Sequence, residues 1–136
     1  LESKIYQADC ILLILSILSD DQAIEFINYA NELKLDCIIE VHDEDELKRA
    51  IKLDYPVIGI NNRNLKSLEI NLNNSINLNK NLTNDYILIA ESGIKSSDDI
   101  KKFNSTGIYN FLIGESLLKS KDKEKKIGEL LLNESY

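Results

Sequence analysis

Glu40, Asn61 and Glu91 each stand directly after an apolar run of strand length. A carboxylate can accept or deliver a proton, and an amide can orient a hydroxyl or carbonyl group of a substrate. Because the carboxyl ends of parallel strands meet at one edge of a sheet, we expect these three side chains to converge there. Taken singly, each position is more simply explained as the polar residue that begins a loop. Their repetition favours a site for acid–base chemistry without excluding that simpler explanation.

Two short turns of small residues follow the last two apolar runs. They read Glu-Ser-Gly at 91–93 and Gly-Glu-Ser at 114–116, and each leads toward a helical segment. Small residues let backbone N–H groups approach an anion, and the start of a helix favours negative charge. The pair predicts a phosphate cradle like that after the last two strands of many (β/α)8 barrels. Two ordinary glycine turns explain the same residues about equally well.

Five apolar runs alternate with segments of helical periodicity, which predicts an α/β fold with one parallel sheet. The runs are mostly continuous, as is typical of strands covered on both faces. The predicted strands are 10–15, 37–39, 57–60, 87–90 and 111–113. The predicted helices are 20–33, 45–53, 72–82, 97–103, 115–119 and 123–132. The spacing of Asp43 and Glu46 fits a capping box at the start of the second helix.

Composition and charge restrict the class of protein. The chain has 136 residues, of which 43% are hydrophobic and 29% charged, as is typical of one globular domain. The net charge of -7 argues against nucleic acid or an anionic membrane as a partner. The longest apolar run, 11–18, is interrupted by Ser16 and is shorter than the roughly 18 residues of a membrane span. We find no basic-then-apolar leader.

Cys10 and Cys37 lie inside apolar runs, and we expect both to be buried, reduced thiols of a cytoplasmic protein. His42, the only histidine, follows Glu40 on the same loop. A metal site is not expected, because no second histidine is present and the cysteines lie in strand interiors. We interpret His42 as a loop residue that forms hydrogen bonds.

Four stretches of the sequence carry a family resemblance. They read Ile-Glu-Val-His at 39–42, Gly-Ile-Asn-Asn-Arg-Asn-Leu at 59–65, Ala-Glu-Ser-Gly-Ile at 90–94 and Phe-Leu-Ile-Gly-Glu-Ser-Leu at 111–117. In this order they resemble the indole-3-glycerol phosphate synthase family, and the stretch 59–65 is the most specific. The resemblance implies that residues 1–136 are the C-terminal portion of a single (β/α)8 barrel domain. The chain would then be a partial TIM barrel containing strands four to eight.

The resemblance also implies a reaction and the residues that carry it. The reaction is ring closure of 1-(2-carboxyphenylamino)-1-deoxyribulose 5-phosphate to indole-3-glycerol phosphate, with loss of carbon dioxide and water, in tryptophan biosynthesis. No metal or organic cofactor is implied. Glu40 is implied as the catalytic general base and Asn61 as a contact to a substrate hydroxyl. Substrate contacts are implied for Arg63, Leu65 and Glu91, and phosphate contacts for Ser92, Gly93, Gly114 and Glu115.

The length of the chain implies a missing part. A barrel of this kind has about 250 residues, whereas this chain has 136. By the resemblance, the missing N-terminal half carries the lysine that acts as general acid. We therefore expect the chain alone to be inactive or nearly so. Its expected partners are that missing half and a small phosphorylated substrate.

Two other classes of function stay open. Another phosphate-binding barrel enzyme, such as an isomerase of the same pathway or a thiazole-forming synthase, would share the two phosphate turns. We would not expect it to share the stretch 59–65. A non-catalytic remnant that serves as a binding or assembly module would also lack the general acid.

Overall fold

Five parallel strands form one sheet in the order in which they occur in the chain, and helices separate them along the sequence. This description comes from a computed structural model and covers residues 1–83 and 85–131. The strands are β1 (Cys10–Ile14), β2 (Asp36–Val41), β3 (Val57–Asn61), β4 (Ile87–Glu91) and β5 (Asn110–Leu112). Because each strand pairs with the next, every connection is a crossover of the kind that builds a (β/α)8 barrel. The predicted parallel sheet is confirmed.

Four helices connect successive strands, one helix precedes the first strand and two follow the last. They are α1 (Glu2–Ile5), α2 (Asp20–Glu32), α3 (Glu44–Lys52), α4 (Asn73–Asn79), α5 (Ser97–Asn104), α6 (Glu115–Lys119) and α7 (Lys123–Leu130). The six predicted helices all form, whereas α1 was not predicted. Leu15 was predicted as part of the first strand and instead begins a 3₁₀ turn, Leu15–Ile17. The predicted end of the last helix at residue 132 lies outside the described residues. In the described part of the chain, every helix is too short or too polar to cross a membrane.

The start of α3 shows how local chemistry fixes an element near the carboxyl edge of the sheet. The side chain of Asp43 accepts a hydrogen bond from the backbone N–H of Glu46 at 2.9 Å, as the predicted cap requires. The reciprocal bond differs from a capping box, because the Glu46 carboxylate accepts from the N–H of His42 at 2.8 Å. The helix start therefore also holds the loop that follows β2.

One face of the sheet carries the hydrophobic core. Successive side chains of each strand point to opposite faces, and the helices cover the side chains of the core face. The strand residues buried in this core include Leu13, Cys37, Ile39, Val41, Ile58, Ile60, Leu88 and Ala90. From the helix side, Phe103 is fully buried and its ring lies 5.7 Å from that of Phe111. Each large side chain buried in this way stabilises the fold by about 1.5–3 kcal/mol.

The opposite face of the sheet is open. Leu12 of β1, Ile87 of β4 and Leu112 of β5 are 42%, 52% and 47% exposed. The apolar runs, typical of strands covered on both faces, therefore include side chains that no described residue covers. In a closed (β/α)8 barrel this face would be the interior, where apolar side chains pack against one another.

The two cysteines differ in environment. Both are free thiols, but Cys37 is buried and Cys10 is exposed. The expected burial of Cys10 is wrong because this residue opens the edge strand β1, in register with the exposed Asp36 of β2. Burial raises the pKa of the Cys37 thiol.

Candidate active site

The strand register brings Glu40, Asn61 and Glu91 to the same face of the sheet. Glu40 is paired with Gly59 across β2 and β3, and Asn61 is paired with Glu91 across β3 and β4. Paired residues of parallel strands point to the same face, and so do residues two apart on one strand. All three side chains therefore lie at the carboxyl edge, on the face that is otherwise open. The predicted convergence is confirmed.

Gly59 provides the room that the two carboxyl groups need. A Cβ atom at this position would overlap Oε1 of Glu91 and would lie 2.9 Å from Cγ2 of Ile38. Because real Cβ atoms do not approach other atoms so closely, an alanine here would displace one of these neighbours. Sequence reasoning missed this role, since a glycine in a short apolar run carries no signal of what lies beside it.

Glu40 and Glu91 form a buried carboxyl pair. Each is only 3% exposed, which is rare for a glutamate. Burial, followed by hydrogen bonding with Glu40 and the charge of Glu40, raises the pKa of Glu91 to about 8. Oε1 of Glu91 is buried without a hydrogen-bond partner among the described residues. Such a pair holds one proton at neutral pH, so it contains both a base and an acid.

His42 lies against the first carboxylate of this pair. Its Nε2 is 3.1 Å from Oε1 of Glu40, and its Nδ1 is 3.0 Å from Oε2 of Glu46. The interpretation of His42 as a hydrogen-bonding loop residue is confirmed by the contact with Glu46.

The side chain of Asn61 is oriented by the loop that follows β3. Its Oδ1 accepts a hydrogen bond from the backbone N–H of Arg63 at 2.9 Å. The amide of Asn74, on α4, donates to the carbonyl oxygens of His42 at 2.9 Å and Asn61 at 3.1 Å. The ends of β2 and β3 are thus held together by one side chain of the asparagine-rich helix.

Asn62 is a buried structural residue that sequence reasoning also missed. Its amide donates to the carbonyl oxygens of Glu91 at 3.0 Å and Ser92 at 3.3 Å. Its Oδ1 accepts from the backbone N–H of Ser75 at 3.1 Å and from the Ser75 hydroxyl at 2.9 Å. Asn62 is 3% exposed, so these bonds replace water at the junction of β3, β4 and α4.

A cavity of about 470 Å³ lies beside the loop after β3. Asn61, Arg63 and Leu65 line it, together with His42 and Glu46. The predicted substrate-contacting residues Arg63 and Leu65 are therefore brought together with Asn61. The Leu65 side chain is 46% exposed, so it is available to an apolar group of a ligand.

A second cavity of about 520 Å³ joins the two glycine turns. All four predicted phosphate-contacting residues, Ser92, Gly93, Gly114 and Glu115, line it. Its walls also hold four cationic side chains, Arg63, Lys95, Lys119 and Lys126. The Ser116 hydroxyl, in the second turn, is buried without a hydrogen-bond partner in the described part of the chain. Excess positive charge with a free buried donor suits an anionic group.

The first turn has an unusual backbone. Ser92 and Gly93 have φ angles of 64° and 84°, which is the left-handed region. A non-glycine residue there costs about 1–2 kcal/mol, so the conformation of Ser92 is imposed by its surroundings. A Cβ at Gly93 would in addition overlap Cγ2 of Ile70.

The Glu115 carboxylate is engaged by two cations. Oε2 lies 2.6 Å from Nη2 of Arg63, and Oε1 lies 2.6 Å from Nζ of Lys119. The hydrogen bond from Lys119 and its charge, followed by Arg63, lower the pKa of Glu115. A negative side chain does not bind phosphate, so any phosphate contact of Glu115 would use its backbone N–H.

Comparison with solved structures defines the class of fold. The chain resembles thiamine phosphate pyrophosphorylase from Pyrococcus furiosus with a TM-score of 0.72 and 17% identity, over 95% of this chain and 60% of that one. A mandelate oxidase mutant gives a TM-score of 0.66 and 11% identity, over 86% of this chain and 43% of that one. At such identities the likeness shows the fold alone. The protein is an α/β protein with the architecture of a partial TIM barrel, as predicted.

The family follows from sequence comparison. The family model described as indole-3-glycerol phosphate synthase matches residues 1–130. The chain belongs to this family, which confirms the resemblance. Proteins named indole-3-glycerol phosphate synthase are 45% identical in Legionella pneumophila strain Paris, over 96% of this chain and 50% of the relative, and 41% identical in Delftia acidovorans, over 95% and 48%. The chain thus spans about half the length of the curated relatives it matches.

Proposed function

We propose that this chain forms the base-bearing and phosphate-binding half of an indole-3-glycerol phosphate synthase. The reaction is the ring closure of 1-(2-carboxyphenylamino)-1-deoxyribulose 5-phosphate, with loss of carbon dioxide and water. One observation carries the proposal: the sheet register sets Glu40, Asn61 and Glu91 on one face at its carboxyl edge. The cavity that joins the two glycine turns lies at the same edge.

Glu40 is the general base in this proposal, and Asn61 and Glu91 orient the sugar-derived chain. Dehydration requires a group that removes a proton, and a carboxylate shielded from water is a stronger base than an exposed one. Glu40 is 3% exposed and lies next to a carboxyl group that retains a proton near neutral pH. The Asn61 amide donates to no other described residue, so it can donate to a substrate oxygen.

The phosphate of the substrate would bind in the cavity between the glycine turns. Backbone N–H groups of Ser92, Gly93, Gly114 and Glu115 would hold it, with the Ser116 hydroxyl as a further donor. A Cβ at Gly114 would meet no atom within 4 Å, so this glycine leaves space open next to the cavity. Binding energy gained at the phosphate would orient the reacting carbons, which are remote from it.

The missing N-terminal half is the required partner in this proposal. It would cover the open sheet face, whose exposed side chains include Leu12, Ile87 and Leu112. It would also supply the general-acid lysine that the family resemblance implies. Without that half, Glu40 could accept a proton but the leaving hydroxyl would lack its acid. We therefore expect little or no turnover by the isolated chain.

A fusion protein tests the proposal directly. The N-terminal half of the Legionella pneumophila relative would be joined ahead of residues 1–136, and indole-3-glycerol phosphate formation would be followed by its fluorescence. We expect turnover by the fusion, and a fall in kcat of about 10²–10⁴-fold in Glu40→Gln. The control is Glu44→Gln, which removes an exposed carboxylate four residues away. A folded fusion that is inactive, or an active one that is unaffected by Glu40→Gln, would refute the proposal.

A further inference from the structure

His42 is enclosed between two acidic side chains in a nearly dry environment. Its side chain is 11% exposed, and those of Glu40 and Glu46 are 4% and 14% exposed. Oε2 of Glu46 accepts hydrogen bonds from both Nδ1 and the backbone N–H of His42. Glu46 therefore holds both the backbone and the imidazole ring of His42, and the ring in turn presents Nε2 to Glu40 at 3.1 Å.

This arrangement determines where protons can lie. An ionised Glu46 only accepts hydrogen bonds, so Nδ1 must carry a proton. Nε2 is buried and lacks a well-aligned hydrogen bond among the described residues. Two unprotonated acceptor atoms 3.1 Å apart repel each other, and a second proton on Nε2 turns this repulsion into attraction. An imidazolium faces a carboxylate on each side, so the contacts at 3.0 and 3.1 Å both join opposite charges.

Glu91 lies on the other side of Glu40. Ionising two neighbouring buried carboxyl groups at once is costly, so one of them stays protonated while the other is ionised. Among the described residues, the His42 ring has a close ionic contact with Glu40 and none with Glu91. A positive ring on that side favours negative charge on Glu40, which leaves the proton on Glu91. The pKa of Glu91, raised to about 8, agrees with this order.

Other charged groups line the cavity beside His42. They are Asp43, Arg63, Lys66 and Glu69. The Asp43 carboxylate caps α3, and Arg63 is paired with Glu115. Asp43 and Arg63 are therefore bound to other partners. Among the described residues, the acidic side chains in ionic contact with the His42 ring are Glu40 and Glu46.

We propose that His42, held by Glu46, is a positioning residue that keeps Glu40 ionised and leaves the proton of the carboxyl pair on Glu91. This inference rests on the proposed function, in which Glu40 is the general base. It assigns different protonation states to Glu40 and Glu91 before substrate binds. It also gives a function to Glu46, which contacts no reacting group.

Nuclear magnetic resonance tests the proton positions without any turnover. His42 is the only histidine of the chain, so ¹⁵N-histidine labelling gives one pair of ring signals. We expect both nitrogens to be protonated at neutral pH, and Glu46→Ala to remove the proton from Nδ1. Glu44→Ala, which alters an exposed first-turn residue paired with Lys48, is the matched control and should leave both signals unchanged. A ring with either nitrogen unprotonated at neutral pH in the folded wild-type chain would overturn the proposal.

Kinetics of the fusion protein test the consequence for the base. Glu46→Ala should lower kcat about tenfold, less than loss of the general base itself. It should also move the acid limb of the kcat–pH profile to higher pH, because Glu40 loses the positive charge beside it. Glu44→Ala should leave that profile in place. A Glu46→Ala variant with an unchanged profile would overturn the inference. If the fusion is inactive, the proposed function fails, and the ring signals still decide the proton positions independently.

Discussion

Gly59 leaves open the space that the carboxyl group of Glu91 occupies. Gly59→Ala should therefore displace Glu91 and lower the free energy of unfolding by about 1–3 kcal/mol. In the fusion protein it should also lower kcat, because the carboxyl pair is separated. Urea denaturation and steady-state kinetics measure the two effects.

The control for this substitution is Gly128→Ala, in α7, where a Cβ would meet no atom within 4 Å. Alanine is favoured over glycine inside a helix, so this variant should be about 0.5–1 kcal/mol more stable than the wild type. Wild-type stability and activity in Gly59→Ala would show that the position of the Glu91 carboxyl group does not depend on the space beside Gly59.

Glu91 makes stability depend on pH in an unusual direction. Its pKa is about 8 in the folded chain against 4.5 ordinarily, so between these values the folded state binds more protons than the unfolded state. The contribution of Glu91 to the free energy of unfolding is therefore fully present below pH 4.5 and is lost as the pH rises toward about 8. Glu91→Gln abolishes the effect. The stability of the wild type relative to Glu91→Gln should fall steadily from about pH 5 to about pH 8.

Urea denaturation at several pH values measures this difference. Glu124→Gln removes an exposed carboxylate of α7 and controls for the change in net charge. A wild-type-to-Glu91→Gln difference that stays constant over the whole range would contradict the assignment of a protonated Glu91.

Asn62→Ala should break the junction between the ends of β3 and β4. Four hydrogen bonds are lost, and the hydroxyl of Ser75 and two carbonyl groups are left buried with fewer partners. We expect a loss of about 3 kcal/mol in the free energy of unfolding. The control is Asn77→Ala, on the exposed side of α4, the helix that carries Ser75. It should change the free energy of unfolding by less than about 0.5 kcal/mol. Equal effects of the two substitutions would show that the Asn62 contacts contribute little.

Gly93→Ala should weaken phosphate binding by distorting the first glycine turn. Gly93 and Gly107 have φ angles of 84° and 85°, but only at Gly93 would a Cβ overlap a neighbour, Ile70. Gly107→Ala therefore controls for the conformational cost, about 1–2 kcal/mol. Titration of the chain with inorganic phosphate, followed by ³¹P resonance, should show an affinity about tenfold lower in Gly93→Ala alone. Wild-type phosphate affinity in Gly93→Ala would place the phosphate elsewhere.

The open face of the sheet should bind the N-terminal half supplied as a separate chain. Leu112→Lys places a charge on that face, at a residue that is already 47% exposed. It should leave the stability of the chain unchanged and weaken association about tenfold or more, since an apolar contact is replaced by a buried charge. Leu118→Lys, at a 77% exposed position of α6, is the control. Sedimentation measures association; equal effects of both substitutions would exclude this face as the interface.

Structural features that depend on local sequence pattern could be predicted from the sequence. The five strands follow from apolar runs, and the convergence of Glu40, Asn61 and Glu91 follows from the rule that parallel strands end at one edge. The Asp43 cap follows from spacing along a single helix turn. In each case the interacting groups are close in sequence or are placed by topology alone.

Contacts between distant side chains could not be predicted in this way. The space beside Gly59 depends on how Glu91 packs across the sheet, and the bonds of Asn62 to Ser75 depend on where α4 docks. Leu15 leaves the strand because its loop is held by Arg49 of α3, which donates to the Leu15 carbonyl oxygen at 2.9 Å. None of these partners has a fixed sequence spacing, so only the folded arrangement reveals them.

Three adjacent strands, β2, β3 and β4, supply Glu40, Asn61 and Glu91. The mutual geometry of these residues is therefore set within one uninterrupted stretch of chain and does not depend on the source of the remaining barrel. A recombination point ahead of β1 would transfer the proposed general base and its neighbours as a unit. Libraries that pair this segment with N-terminal halves from different parents should vary the surroundings of the proposed general-acid lysine while the Glu40–Glu91 pair stays constant.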